Sequence, residues 1–384
     1  MTTTLIIVTI VVITALAFDF TNGFHDSANA MATSVATGAL SPKLAVTIAA
    51  VLNVVGATLS TEVAKTISSG IVTDSLVTPS MVFAGLVGAI LWNLVTWLFG
   101  LPSSSSHALF GGLIGAVLVK AGMSGIHPDV ILSKIILPAL VAPVVAGLAA
   151  ALATRVAYRI TDHTAHHARG IFKHAQSISA SMVALAHGTS DGQKTMGIIT
   201  LVLVAGGFQQ SGTAPHWWVI LLAGTAIGLG TYSGGWRIMR TMGKGLCDIE
   251  SPQGFAAETA STAAILASSH LGFALSTTHV CSGSILGSGI GRRTEVRWST
   301  AGKMGVAWLV TLPCAAVVGA LASWIAGWGI PGLLIDVVLL LVVAGLILRQ
   351  SHHHSVDHQN VNDSGDVNIR KQGTNPPVSE GATA

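Results

Sequence analysis

"LPSSSSHALFGGLIG" at residues 101–115 and "ALSTTHVCSGSILG" at 274–287 decide the fold when they are read together. Each sets hydroxyl residues and a histidine directly before a glycine-laced apolar run. They align without a gap: His107, Gly111 and Gly115 fall opposite His279, Gly283 and Gly287, with Ser105 and Ser106 opposite Thr277 and Thr278. A second motif pair lies upstream of them. "NGFHDSANAM" (22–31) matches "HGTSDGQKTM" (187–196), pairing Gly23 with Gly188, Asp26 with Asp191 and Met31 with Met196. Asp26 precedes His107 by 81 residues and Asp191 precedes His279 by 88. Two polar motifs in the same order, at similar separation, mark an internal duplication.

The medium around these motifs follows from composition. Of 384 residues, 51% are hydrophobic and 9% charged, against about 25% charged in soluble domains. Mean hydropathy is +0.68. No Asp, Glu, Lys or Arg occurs from Ser75 to Val119, Ile135 to Thr154, Thr195 to Trp236, Thr259 to Gly291 or Gly305 to Ile335. A helical span needs about 20 such residues, so the chain reads as an all-α polytopic membrane protein with no nucleic-acid partner. The N-terminal apolar run lacks a basic leader and continues into a polar cluster, Asp19 to Asn29, so it reads as a span rather than a cleaved signal. Cys247, Cys281 and Cys314 read as small packing residues, not a metal site.

The apolar runs suggest spans at 4–22, 43–68, 80–100, 104–122, 133–154, 178–200, 216–233, 255–275, 276–291, 304–327 and 331–348. The expected organisation is a first repeat (1–154), a polar linker loop (155–176), a second repeat (177–348) and a disordered polar tail (349–384). With the linker in the cytoplasm, thirteen loop Lys and Arg residues fall inside and only Lys120 and Lys134 outside, the bias the positive-inside rule requires. The N-terminus is then outside and the C-terminus cytoplasmic. Five spans in the first half start the second half on the opposite face, so the repeat is inverted.

Inverted repeats are a signature of secondary transporters, whose sites lie near the midplane on interrupted segments of both halves. Residues 104–122 and 276–291 are short, and both read as arms of re-entrant helical hairpins. Backbone N–H groups at a helix start, ringed by hydroxyls, suit a tetrahedral oxyanion. The competing reading of the hydroxyls is close helix packing through small residues. A carboxylate at membrane depth needs a partner or a role. Asp26 and Asp191 each fit a coupling-ion role, as cation ligand beside Asn29 or Gln193 or as proton carrier; Lys194 offers Asp191 a structural ion pair instead. His25 could relay protons or orient Asp26. His107 and His279 read as hairpin supports, Glu62–Lys65 as a structural pair inside the bundle, and Glu258, near an expected helix start, as an acid on a helix dipole, with ion coordination as its alternative. Asp19 and Asp336 receive no role.

"GFHDSANAMATSVATGAL" and "HGTSDGQKTMGII", with "PSSSSH" and "STTHV", resemble the inorganic phosphate transporter (PiT) family over nearly the whole chain to about residue 348. The resemblance implies a multi-pass plasma-membrane symporter that carries phosphate with a sodium ion or a proton, built of inverted repeats with two hairpins and working as a homodimer. It implies that Ser104, Ser105, Ser106, Ser276, Thr277 and Thr278 face phosphate, and that Asn29, Gln193, Asp26 and Asp191 complete the phosphate and cation sites. It implies no cofactor beyond the co-transported cation. Many members have Asn directly before the signature Asp; here those positions are His25 and Ser190. That departure favours the proton, and resembles members that carry a neutral metal–phosphate complex. The proline before the second hydroxyl motif is also replaced, by Ala274 where the first has Pro102.

Two other functions compete. A sulfate permease of the same fold would want donors only, since sulfate stays unprotonated, whereas Asp26 and Asp191 offer acceptors. An intramembrane hydrolase would need a catalytic constellation, and neither H-E-x-x-H nor G-x-S-x-G is present. The chain reads as a transporter, not an enzyme.

Overall fold

A computed structural model describes residues 2–161, 165–352, 355–363 and 367. Among them are fourteen α-helices and no extended sheet. The first half contains α1 (Thr2–Ala36), α2 (Pro42–Ala57), α3 (Glu62–Ser69), α4 (Pro79–Leu98), α5 (Ser105–Ala121), α6 (Pro128–Ile131) and α7 (Leu137–Thr161). The second contains α8 (Ala165–Ala205), α9 (Trp217–Ser233), α10 (Trp236–Lys244), α11 (Ser251–His270), α12 (Thr277–Arg292), α13 (Trp298–Ala326) and α14 (Ile330–His352).

The order repeats. A long helix carrying the signature, α1 or α8, is followed by a bent pair, α2–α3 or α9–α10, and each pair bends by 69°. Two helices joined by a short turn follow, α4–α5 and α11–α12, and then a long helix with an internal proline, Pro143 in α7 and Pro313 in α13. Packing repeats too. α1 lies on α9 and α10 as α8 lies on α2 and α3, and α5 lies on α13 as α12 lies on α7. The two signature helices run antiparallel: Gly206 packs on Val8, Asn22 reaches Asp191, and Thr37 reaches Gln176.

Small residues bring the signature helices close to their neighbours. A side chain at Gly23 would strike the backbone of Ile227 and Thr231 on α9; at Gly188 it would strike the backbone of Asn53 on α2. The outer helices solve the opposite problem. Leu140, Val144, Leu148 and Leu152 recur at helical spacing along α7, 59–69% exposed, which is what a lipid-facing stripe requires. Among the described residues six helices are long and apolar enough to span a membrane, or eight if each bent pair is one span.

Several boundaries differ from those the apolar runs suggest. The first span does not stop near residue 22: α1 continues through the whole signature to Ala36, because the polar side chains there find partners on other helices. The span expected at 43–68 breaks between α2 and α3, and the 216–233 span is followed, after a bend, by the basic amphipathic helix α10, which its three charges had placed in a loop. Residues 155–176, expected as a loop, are largely the ends of α7 and α8. The polar tail also begins as structure. α14 reaches His352, Arg240 Nη2 donates to Asn360 O and Oδ1 at 2.6 and 2.9 Å, and Val361 is 2% exposed. The remainder of the expected disordered tail, 353–354, 364–366 and 368–384, lies outside the described residues.

Candidate substrate site at the meeting of the two hairpins

Ser104 caps α5 and Ser276 caps α12 in the same way. Each hydroxyl accepts the backbone N–H of the histidine three residues on, His107 at 3.1 Å and His279 at 3.3 Å. This N-cap satisfies one of the free N–H groups of a helix start and leaves the others in the first turn. Ser105 and Ser106, and Thr277 and Thr278, occupy those first-turn positions. α4 and α5 pack antiparallel, with Gly85 on Gly112 and Leu113, so residues 99–104 form a hairpin tip; 271–276 form the other. The tips meet. Ser106 Oγ donates to Leu275 O at 3.3 Å, and the His107 and His279 rings lie 5.0 Å apart. His279 also packs on Trp308 at 4.2 Å. Both histidines brace the junction of the tips, while the capping itself is done by the serines.

The signature helices supply the charges. Asp26 pairs with His25 Nδ1 at 2.6 Å, and accepts from Ser105 Oγ at 2.5 Å and Thr278 Oγ1 at 3.4 Å. His25 Nε2 is held by Thr96 Oγ1 (3.2 Å) and Ser103 Oγ (3.3 Å). Asp191 accepts from Lys194 Nζ at 2.6 Å, Thr277 Oγ1 at 3.4 Å and Asn22 Nδ2 at 3.5 Å, with His187 Nε2 also 3.5 Å away. Lys194 Nζ donates as well to Ser106 Oγ at 2.6 Å. All of these side chains are buried. Asp26, His187 and Asp191 lie within 4.8 Å of one another through their polar atoms, near enough for one positive charge to be shared by all three.

These contacts obey the duplication. Asp26–Ser105 in one half corresponds to Asp191–Thr277 in the other. Asn29, whose amide donates to Thr277 and Thr278 at 3.3 and 3.0 Å, corresponds to Lys194 on Ser106. Asp26 and Asp191 each hold a hydroxyl of their own half's hairpin, whereas Asn29 and Lys194 cross to the opposite hairpin.

Residues 22–319 match the phosphate transporter family. The chain belongs to that family. A protein of Mycobacterium tuberculosis named "Probable low-affinity inorganic phosphate transporter" is 52% identical over 373 residues, covering 95% of this chain and 89% of the relative. One of the same name from Bacillus subtilis is 42% identical over 325 residues, covering 84% and 97%. A solved structure titled "The sodium-dependent phosphate transporter" superposes with a TM-score of 0.76 at 23% identity, over 84% of this chain and all of that one; this similarity speaks for the fold.

Within this phosphate transporter family member, the geometry gathers Ser104, Ser105, Ser106, Ser276, Thr277, Thr278, Asn29, His25, Asp26 and Asp191 at one centre. Gln193 is the exception. Its Oε1 accepts the backbone N–H groups of Val63 (2.8 Å) and Ala64 (3.4 Å), and its amide donates to Thr189 O at 2.6 Å. It caps α3 and faces away from the hydroxyls. Lys194 stands in the place assigned to it, one residue later on the helix, and the motif alignment already set Lys194 opposite Asn29. Glu258 is not at a helix start: it is buried on α11 and accepts from Thr33 (2.5 Å), Gln176 (3.2 Å) and Ser179, joining α11 to both signature helices. Glu62 and Lys65 do pair, at 2.8 Å, but at the surface, with side chains 51% and 45% exposed. His187, Asn22, Thr96 and Ser103 also join the centre; Asn22 and His187 open the two signature motifs and Ser103 lies in the first hydroxyl motif, but no role was read for them because it depends on which helices face them.

Proposed function

We propose that this chain is a secondary transporter that imports inorganic phosphate by symport with protons, through the centre where the hairpin tips meet Asp26 and Asp191. One observation carries the reading: two helix N-termini and the Lys194 ammonium converge on a buried cluster that also holds two carboxylates. Donors alone would suit any oxyanion. Two carboxylates beside one lysine make the cluster net negative when the histidines are neutral, so an anion cannot be occluded there unless positive charge enters with it. Coupling is then a consequence of electrostatics. Phosphate is suited because its protonated oxygen can donate to a carboxylate, which sulfate at neutral pH cannot do.

His25, paired with Asp26 at 2.6 Å, supports the proton over sodium, since no amide oxygen precedes either signature aspartate. The names of the close relatives support phosphate as the substrate. The same electrostatics suit phosphate travelling with a divalent metal as a neutral complex, which lowers the net charge moved. Import, a homodimeric assembly in the plasma membrane, and an N-terminus outside with a cytoplasmic C-terminus complete the proposal. In this cycle the bound anion and its cation neutralise each other, and the two-hairpin unit moves against the outer helices to open the other face.

Uptake of radiolabelled phosphate into proteoliposomes tests this directly. Inward proton and sodium gradients are imposed separately, with and without excess sulfate. Proton-driven, sulfate-resistant uptake is expected. Uptake driven by sodium alone would remove the coupling assignment, and competition by sulfate would change the substrate.

A further inference from the structure

Asp19 lies one turn before Asn22 on α1 and is fully buried, yet neither of its carboxylate oxygens makes a hydrogen bond. The polar side chains that bear on it are Thr195 of α8 and Asn22. Their oxygens, Thr195 Oγ1 and Asn22 Oδ1, are likewise buried and without a partner. Four buried oxygens without partners are thus carried by three neighbouring residues. An ionised carboxylate in that setting is costly. A proton on Asp19 relieves this: the neutral acid can donate through its O–H where a carboxylate can only accept, and its other oxygen can still accept from the Thr195 hydroxyl.

The charged groups facing this position are Asp191 and Lys194, both from α8; further along α1 stand His25 and Asp26. α4 and α9, which also pack on α1, contain no Asp, Glu, Lys, Arg or His. α10, which packs on α1 as well, carries Arg237, Arg240 and Lys244, but it lies along the later turns of α1, with Gly235 on Phe24 and Gly243 on Ala32; among the described residues Lys194 is the cation that bears on Asp19. The duplicated fold does not demand the acid either, because the matching residue on α8 is Ala184. Asn22 links it to the site: the same amide whose oxygen is free donates to Asp191 Oδ2 at 3.5 Å.

We propose that Asp19 is a proton-carrying residue of the transport cycle, loaded and unloaded separately from Asp26, with Asn22 passing its state to Asp191 and hence to Lys194 and Ser106. The step is a simple proton exchange. The carboxylate takes a proton from water on one face and returns it to water on the other, and no other bond changes. The role rests on the reading of the chain as a proton-coupled phosphate transporter.

The full-length wild type, D19N and D19E are compared in proteoliposomes with membrane potential clamped. Phosphate–phosphate exchange without a gradient reports folding and binding; accumulation under a pH gradient, with an internal pH dye, reports coupling. With one proton each on Asp19 and Asp26, wild type accumulates about a hundredfold per pH unit. D19N is expected to keep exchange while accumulation falls to about tenfold per pH unit and each phosphate carries about half as much acid into the lumen; D19E restores both. D19N that accumulates phosphate like wild type overturns the proposal, as does loss of exchange in both variants, which would make Asp19 structural. Wild type that fails to take up phosphate defeats the transport reading instead. Infrared difference spectra between acid and alkaline buffer then decide Asp19 independently: a protonated-carboxyl band present in wild type and missing in D19N is expected, and its absence from wild type overturns the proposal.

Discussion

Lys194 Nζ donates to Ser106 Oγ at 2.6 Å, crossing from the signature helix of one half to the hairpin of the other. Asn29 makes the corresponding contact to Thr278 at 3.0 Å. The duplication is thus preserved in geometry and broken in charge. One cation among two carboxylates leaves a charge deficit at the centre, which under the proposed function the transported species makes good.

Lys194→Met tests what that cation does for the fold. It strands the Asp191 carboxylate, and breaking a buried pair by removing one partner costs about 3–5 kcal/mol. The thermal midpoint of the purified protein should fall steeply. The double variant K194M/D191N should recover part of that loss, giving a coupling energy in a double-mutant cycle. Additive losses would mean that the 2.6 Å pair contributes nothing to stability.

Asp26→Asn should abolish proton-driven phosphate accumulation while leaving the protein folded. The amide keeps the size of the carboxylate and can still meet Ser105, but it cannot take up a proton. Ser105→Ala is the milder change. It removes a hydrogen bond to a charged group, worth about 1.5–3 kcal/mol, so uptake should weaken by about tenfold or more. Wild-type uptake in D26N would refute the role given to Asp26.

The duplication, the helical membrane class and most of the centre were legible because they depend on local pattern. Ser104 and Ser276 sit where N-caps sit, and their motifs align residue for residue. Gln193 was misplaced because its side chain was judged by type: amide and carboxylate together suggest cation ligation, yet only the facing of α8 on α3 tells that the amide meets backbone N–H groups. Glu258 was misread for the same reason, and Asn22 received no role at all. A buried polar residue announces that it has a partner, but the partner sits on a helix far away in sequence. The bend between α9 and α10 was hidden because the three charges of α10 had placed that segment in a loop.

Gln193→Leu separates the two readings of that residue. If Gln193 caps α3, its loss leaves two helix-start N–H groups unmet, costing about 0.5–2 kcal/mol, with phosphate affinity unchanged. The thermal midpoint should drop slightly while half-saturation for uptake stays at the wild-type value. A weakened affinity at unchanged stability would return Gln193 to the substrate site.

Gly23→Ala and Gly188→Ala probe the close packing that lets the signature helices carry polar side chains at all. A Cβ at position 23 would lie 2.9 Å from the backbone nitrogen of Thr231, and one at 188 would lie 2.5 Å from the Cα of Asn53. Neither neighbour is a flexible chain end; both are helix backbone, so whole helices must part. Overpacking of this kind costs about 1–3 kcal/mol. The consequences reach beyond stability. Thr231 Oγ1 accepts from Asn53 Nδ2 at 2.7 Å, and Asn53 Oδ1 holds His187 Nδ1 at 3.0 Å. Moving α9 or α2 therefore shifts His187, which stands 3.5 Å from Asp191. Both alanine variants should lower the thermal midpoint and reduce uptake together, whereas a conservative change on the lipid-facing stripe, such as Leu148→Ile, should do neither. Full uptake in G188A at wild-type stability would show that the α2–α8 contact is looser than its geometry implies.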